Sequence, residues 1–233
     1  MICITGDIHG EVERLKQDDI RSLRKGDTLL VCGDFGLIWQ GGAQEEKILK
    51  SLGKRKYNIL FLDGIHENFE LLRQYPLEEF KGGLARKISG NLYHLQRGEI
   101  YTLEDKRFFC FGGGNCSDME REIRIREKRW WPEAVPTLEE MQAGVEKLRQ
   151  ADNEVDYILT FEPPVRIKKI LNKGEDETNS VNSFFEQLGE HVTYKHWFFG
   201  SCHVDKKLTA LHTCVYNDML MLEELTPQYR PKK

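Results

Sequence analysis

Residues 2–10 read ICITGDIHG, a short β-branched run that ends in Gly-Asp and carries a histidine two positions later. The pattern returns as TLLVCGDFG at 28–36, NILFLDGIHE at 58–67 and HWFFGSCH at 196–203. A few apolar residues closed by glycine read as a buried strand, and helix-like stretches at 11–18, 43–53 and 67–74 follow the first three runs. Strand and helix in alternation predict βαβ units and a mostly parallel sheet in this half. The polar residues after each strand, Asp7, His9, Asp34, His66 and His203, then converge on the edge formed by the strands' carboxyl ends, where α/β folds place ligand sites. Carboxylates and imidazoles gathered there suit a transition metal such as Mn, Fe or Zn.

The middle of the chain changes character. LYHL, EIYTL and RFFCFGG (92–95, 99–103 and 107–113) are closely spaced apolar runs joined by short turns, which predicts antiparallel pairing among them. A polar segment, SDMEREIRIREKRWWPEAVPTLEE, leads into a predicted helix at about 137–150. DYILTF (156–161), YKHWFFG (194–200) and LTALHTCVYNDMLML (208–222) resume the strand pattern. A mixed α/β sandwich accounts for this order better than an open doubly wound sheet.

The 233 residues, 39% hydrophobic, suffice for one sizeable core, so a single domain is expected over 1–225. The tail 226–233, TPQYRPKK, is expected to be disordered and the loop 172–180, NKGEDETNS, to be mobile. A net charge of −4 excludes a global attraction for nucleic acid or an anionic membrane. The six cysteines form no CxxC pair and several sit in strand-like runs, which reads as reduced, buried thiols. MICITGD opens without a basic region followed by an apolar stretch, and no window approaches the roughly 18 apolar residues of a spanning helix. The expectation is a cytoplasmic protein with no membrane partner.

GDIHG (6–10), GDFG (33–36), GIHE (64–67) and GSCH (200–203) together resemble, in order and spacing, the motif blocks of the calcineurin-like metallophosphoesterases. The resemblance spans Asp7 to His203, nearly the whole chain. It implies a four-layer αββα sandwich with mixed sheets and a two-metal centre, its cations about 3.5–4 Å apart, that activates water and clamps a phosphate ester. The first metal would take Asp7, His9, Asp34 and His203, all present. The second would share Asp34 and needs an Asn and two His where this chain has Ile65, Phe161 and Ser201. A poorly coordinated cation in a hydrocarbon setting costs several kcal/mol, so one metal is expected and a second is not. His66 keeps the position that the resemblance assigns to a catalytic proton donor or charge stabiliser.

Two functions compete on this reading. The favoured one is a binding or regulatory pseudoenzyme with weak or absent phosphoesterase activity, since losing several kcal/mol of transition-state stabilisation slows hydrolysis by roughly three orders of magnitude or more. The alternative is an active one-metal hydrolase of phosphodiesters or nucleotides, with His66 protonating the leaving group. Either leaves room for a phosphate-ester or nucleotide ligand, and a protein partner is compatible with the first. A nucleic-acid partner is disfavoured: REIRIREKRWWPE at 121–133 is interrupted by acidic residues and reads as a solvated helix anchored by Trp130 and Trp131. GGG at 112–114 lacks the spacing of a dinucleotide or P-loop site, Cys202 reads as structural, and His94, His191, His196 and His212 read as surface or packed residues.

Overall fold

In the computed structural model, which describes residues 1–172 and 178–225, thirteen strands build two mixed sheets. The strands are β1 (Ile2–Thr5), β2 (Thr28–Val31), β3 (Asn58–Phe61), β4 (Leu77–Phe80), β5 (Gly83–Ser89), β6 (Leu92–Leu95), β7 (Glu99–Leu103), β8 (Lys106–Phe111), β9 (Tyr157–Thr160), β10 (His196–Phe199), β11 (Lys206–Lys207), β12 (His212–Cys214) and β13 (Leu220–Met221). The first sheet runs β13-β1-β2-β3-β6-β5-β4 and the second β11-β12-β10-β9-β8-β7. β1, β2, β3 and β6 are parallel, as are β8, β9, β10 and β12, while the outer strands of both sheets are antiparallel.

The period of two along each central strand explains the stacking. Ile2, Ile4, Leu30, Cys32 and Leu60 of the first sheet share one buried cluster with Phe108, Cys110, Tyr157, Leu159 and Phe198 of the second, so these faces meet. The alternate residues Cys3, Leu29, Val31, Ile59 and Phe61 pack outward on Ile20, Leu49, Leu52, Phe69 and Leu72. Those five lie on helices α1 (Asp18–Ser22), α2 (Ala43–Gly53) and α3 (Phe69–Leu72). On the opposite side, Phe109, Phe111, Ile158, Trp197 and Phe199 pack on Leu148, Ile167, Phe185 and Leu188. The remaining helices are α4 (Asp118–Arg126), α5 (Leu138–Gln150), α6 (Val165–Leu171), α7 (Ser180–His191) and α8 (Leu222–Leu225), of which α5, α6 and α7 form this fourth layer. The four-layer αββα sandwich with mixed sheets is therefore the observed fold.

The helix expected at 43–53 is α2, and the one expected at 137–150 is α5, begun by Thr137 and Glu140 in a reciprocal capping box. Other expectations need correction. The stretch 11–18 is no continuous helix: Gln17, at ψ 149°, separates a 3₁₀ turn at Arg14–Lys16 from α1. LYHL does not pair with EIYTL: β6 is buried on both faces and extends the parallel ladder from β3, whereas β7 and β8 form a hairpin in the other sheet. β4 and β5 went unread because β4 is the sheet's edge and both carry polar residues among the apolar ones, as in LEEF and GLARKIS. Residues 173–177 of the loop expected to be mobile, and the tail 226–233, lie outside the described residues. No helix among the described residues is long and apolar enough to cross a membrane.

Candidate metal centre

Each central strand ends just before a polar residue, and the parallel register brings those ends to one edge. Asp7 and His9 follow β1, Asp34 follows β2, His66 follows β3, and Ser201 and His203 follow β10. Four of these residues adopt left-handed backbone: His9 (φ 52°), Asp34 (φ 42°), Ser201 (φ 60°) and His203 (φ 50°). Such conformations are uncommon outside glycine and persist where surrounding bonds hold them. Here the Ile8 and His9 N–H groups both donate to the Asp34 carbonyl, at 3.0 and 2.7 Å. The glycines of GIHE and GSCH serve close approach: a Cβ on Gly64 would collide with Asp34 Oδ1, and one on Gly200 with Asp7 Oδ1.

Asp7 is fully buried, and its Oδ1 accepts the Ser201 N–H at 3.2 Å. Among the described residues its Oδ2 accepts no hydrogen bond of ordinary geometry, although His203 Nε2 stands 3.1 Å away and His9 Nε2 3.8 Å away. The two ring nitrogens are themselves only 3.0 Å apart. A bare, buried carboxylate oxygen facing two imidazole nitrogens is a donor set that a divalent transition metal satisfies, so the residues present fit such an ion. Burial pushes the Asp7 carboxyl up to about 6 and pushes His9 down, while the contact with Asp7 raises His203.

Asp34 Oδ2 lies 3.8 Å from His9 Nδ1 and 2.7 Å from His66 Nδ1. Among the described residues two groups of potential ligands result, Asp7 with His9 and His203, and His9 with Asp34 and His66, each with its ligand atoms within 4.8 Å of one another. His9 belongs to both.

Ile65, Phe161 and Ser201 line one cleft of about 860 Å³ together with Asp34, His66 and His203. Phe161 is 3% exposed, and its ring lies where a Cβ on either Gly33 or Gly114 would strike it. The far wall includes Ser117, Glu120 and Arg124 from α4 and its cap, so the polar segment before WW overhangs the metal edge. On α4 the arginines are matched by acids three or four residues away, Arg121 with Asp118, Arg124 with Glu120 and Arg126 with Glu122. Trp130 and Trp131 pack against the outer core of the first sheet.

Three contributors escaped sequence reading. Glu67, fully buried, accepts the Phe35 N–H at 2.7 Å and Gly36 N–H at 3.3 Å, fixing the loop that carries Asp34; burial raises its carboxyl well above the usual range. Its only signal was an acid directly after His66. Asp63 is a buried ion-pair hub, bonded by Arg97 Nε at 3.0 Å and His94 Nε2 at 3.0 Å. Burial opposes its charge, but Arg97 and His94 hold it down at about 2. Trp39 lines a second cleft beside His9 and His66. Of the histidines outside the motifs, His94 and His196 are buried and His191 is exposed. Cys202 packs against the outer core of the second sheet.

Comparison with curated proteins finds no match. The model of one family, described as calcineurin-like phosphoesterase, matches residues 1–200, from the first strand to the glycine just before Ser201, Cys202 and His203. That match covers most of the 233 residues, so the chain belongs to the calcineurin-like phosphoesterase family and has its metallophosphoesterase fold.

Proposed function

We propose that this protein binds one divalent or trivalent transition metal (Mn, Fe or Zn) through Asp7, His9, Asp34 and His203, and that it acts as a phosphate-ester-binding or regulatory pseudoenzyme whose hydrolytic activity is weak or absent. Ile65, Phe161 and Ser201 stand where a second cation would need an amide and two imidazoles. The observation that carries the reading is the Phe161 ring, packed against Gly33 and Gly114 beside Asp34 at the end of β9. Hydrocarbon there offers no lone pair, and a cation left short of donors loses several kcal/mol.

Bound at that edge, one cation would polarise a phosphoryl oxygen and lower the pKa of water towards about 7. The chain's own groups do the rest. Asp7, buried, supplies fixed negative charge, and His9 and His203 define the mouth of the site. His66, at 33% exposure, lies between the two clefts and reaches a ligand from either.

That exposure also favours the second reading, an active one-metal hydrolase in which His66 protonates the leaving group. Titration of metal-free protein with Mn²⁺, followed by assay on an aryl phosphodiester, separates the readings. One bound ion with turnover roughly three orders of magnitude below that of a two-metal relative supports the proposal. Robust turnover abolished by His66→Ala supports the alternative, and two ions per chain refutes both.

A further inference from the structure

A phosphate held at His9 and His66 leaves its organic group to one of two flanking clefts, and their chemistry differs. In the cleft beneath α4 most of the charged walls are taken up by one another, with Lys206 at its rim besides: Glu120 takes Arg124, and Glu162 takes Lys168 at 3.0 Å and Asn182 at 2.8 Å. The other cleft, about 520 Å³, opens on His9 and His66 and is walled by Leu37, Trp39 and Ile48, with Gln40, Gln44 and Arg129 around it. That volume lies within the roughly 300–1,000 Å³ of small-molecule sites.

The loop carrying Trp39 is held on both sides. The Trp39 N–H donates to Glu45 Oε2 at 3.0 Å, which also accepts Gln40 N–H at 2.8 Å and Gly41 N–H at 3.2 Å. The Trp39 carbonyl accepts from Asn68 Nδ2 at 2.8 Å, and the Asn68 N–H donates to the Ile38 carbonyl at 3.3 Å. Asn68 stands two residues beyond His66, so the stretch that presents the imidazole also pins the backbone that carries the indole. Trp131 buttresses the ring edge-on, with centroids 5.3 Å apart. A half-buried indole fixed beside an anion-binding edge is a preorganised platform for a flat ring.

Resting on the phosphate-binding reading above, we propose that this cleft seats an aromatic base stacked on Trp39, making nucleoside monophosphates the ligand class rather than sugar phosphates or free phosphate. The base covers Trp39 and Ile48, the exposed amides of Gln40 and Gln44 meet its polar rim, and the phosphate reaches His9 and His66. Base stacking on an aromatic side chain is sequence-tolerant because every base has a π-face, so adenine serves as a fair probe.

Calorimetric titration of the Mn²⁺-loaded full chain with adenosine 5′-monophosphate, ribose 5-phosphate and inorganic phosphate tests this. The nucleotide should bind at least about tenfold more tightly than ribose 5-phosphate. Trp39→Ala should erase that margin, Trp39→Phe should retain most of it, and neither should alter phosphate affinity or metal content. Equal affinities for nucleotide and sugar phosphate, or a margin that survives Trp39→Ala, would overturn the inference while leaving phosphate binding intact. Failure of all three compounds to bind would remove the underlying reading and this one with it. If Trp39→Ala does not fold, the margin in the wild-type chain and in Trp39→Phe still decides.

Discussion

His66 engages both oxygens of Asp34: its backbone N–H donates to Oδ1 at 2.8 Å, and its ring Nδ1 lies 2.7 Å from Oδ2. Asp34 is thereby tied to the strand end that follows β3, and its carboxylate is oriented before any ligand arrives. Immediately before His66 stands Ile65, whose hydrocarbon side chain offers no donor or acceptor to Asp34. The contact gives the remaining imidazole a structural task as well as a chemical one.

Metal capacity should follow the carboxylate at the end of β1. Wild-type protein should bind about one Mn²⁺ by elemental analysis, and Asp7→Asn should bind none. Because a ligand at a hundred times its Kd stabilises a fold by about 2.7 kcal/mol, excess Mn²⁺ should raise the melting temperature of the wild type and leave that of Asp7→Asn unmoved.

Restoring donors tests whether the scaffold still frames a second site. The triple variant Ile65→Asn, Phe161→His, Ser201→His should take up a second metal and gain phosphodiesterase activity. Since Phe161 is 3% exposed, its replacement should also cost about 2–4 kcal/mol of stability, visible in denaturant unfolding. A folded triple variant that still binds one ion would contradict the assignment of positions.

Arg97 ties the end of β6 to α5 and the segment before it: beyond Asp63 it bonds Glu140 at 3.0 Å and the Glu133 carbonyl at 2.8 Å. Arg97→Met leaves Asp63 charged and buried without its main partner, which should destabilise the fold by about 3–5 kcal/mol. Adding Asp63→Asn should recover part of that loss in urea unfolding, because the uncompensated charge is removed.

Acid should weaken the fold through His196. It is 2% exposed, with Nε2 2.9 Å from Thr213 Oγ1, and burial holds its pKa down at about 4 against an ordinary 6.5. Between those values the unfolded chain binds a proton that the folded chain refuses, so stability rises with pH. This contribution is complete above about 6.5, falls by roughly 3 kcal/mol as pH drops to about 4, and is flat below. Unfolding free energies of His196→Gln from pH 7 to 4 should show a correspondingly shallower slope.

Much of the scaffold could be read along the chain. β1, β2 and β3 announce themselves by apolar runs closed with glycine, and α2 and α5 by amphipathic spacing and, for α5, the Thr137–Glu140 cap. These signals are local, carried by neighbours within one or two turns. β4 and β5 were silent because β4 is an edge strand with no fully buried residue and β5, its neighbour, interleaves polar with apolar residues.

The sequence by itself determined the inventory of donors at the strand ends, the alternation that makes both sheets two-faced, and the hydrocarbon of Ile65 and Phe161 and the neutral hydroxyl of Ser201 at the three positions where the family resemblance calls for ligands. Only the tertiary structure decided that β6 joins β3 instead of β7, that Glu67 reaches back to the Asp34 loop, and that Arg97 finds Asp63, 34 residues away. Hydrogen bonds and charges act through space, so a pair's separation along the chain leaves no periodic trace. The clefts on either side of His66 have the same origin, since their walls come from segments that only folding brings within contact.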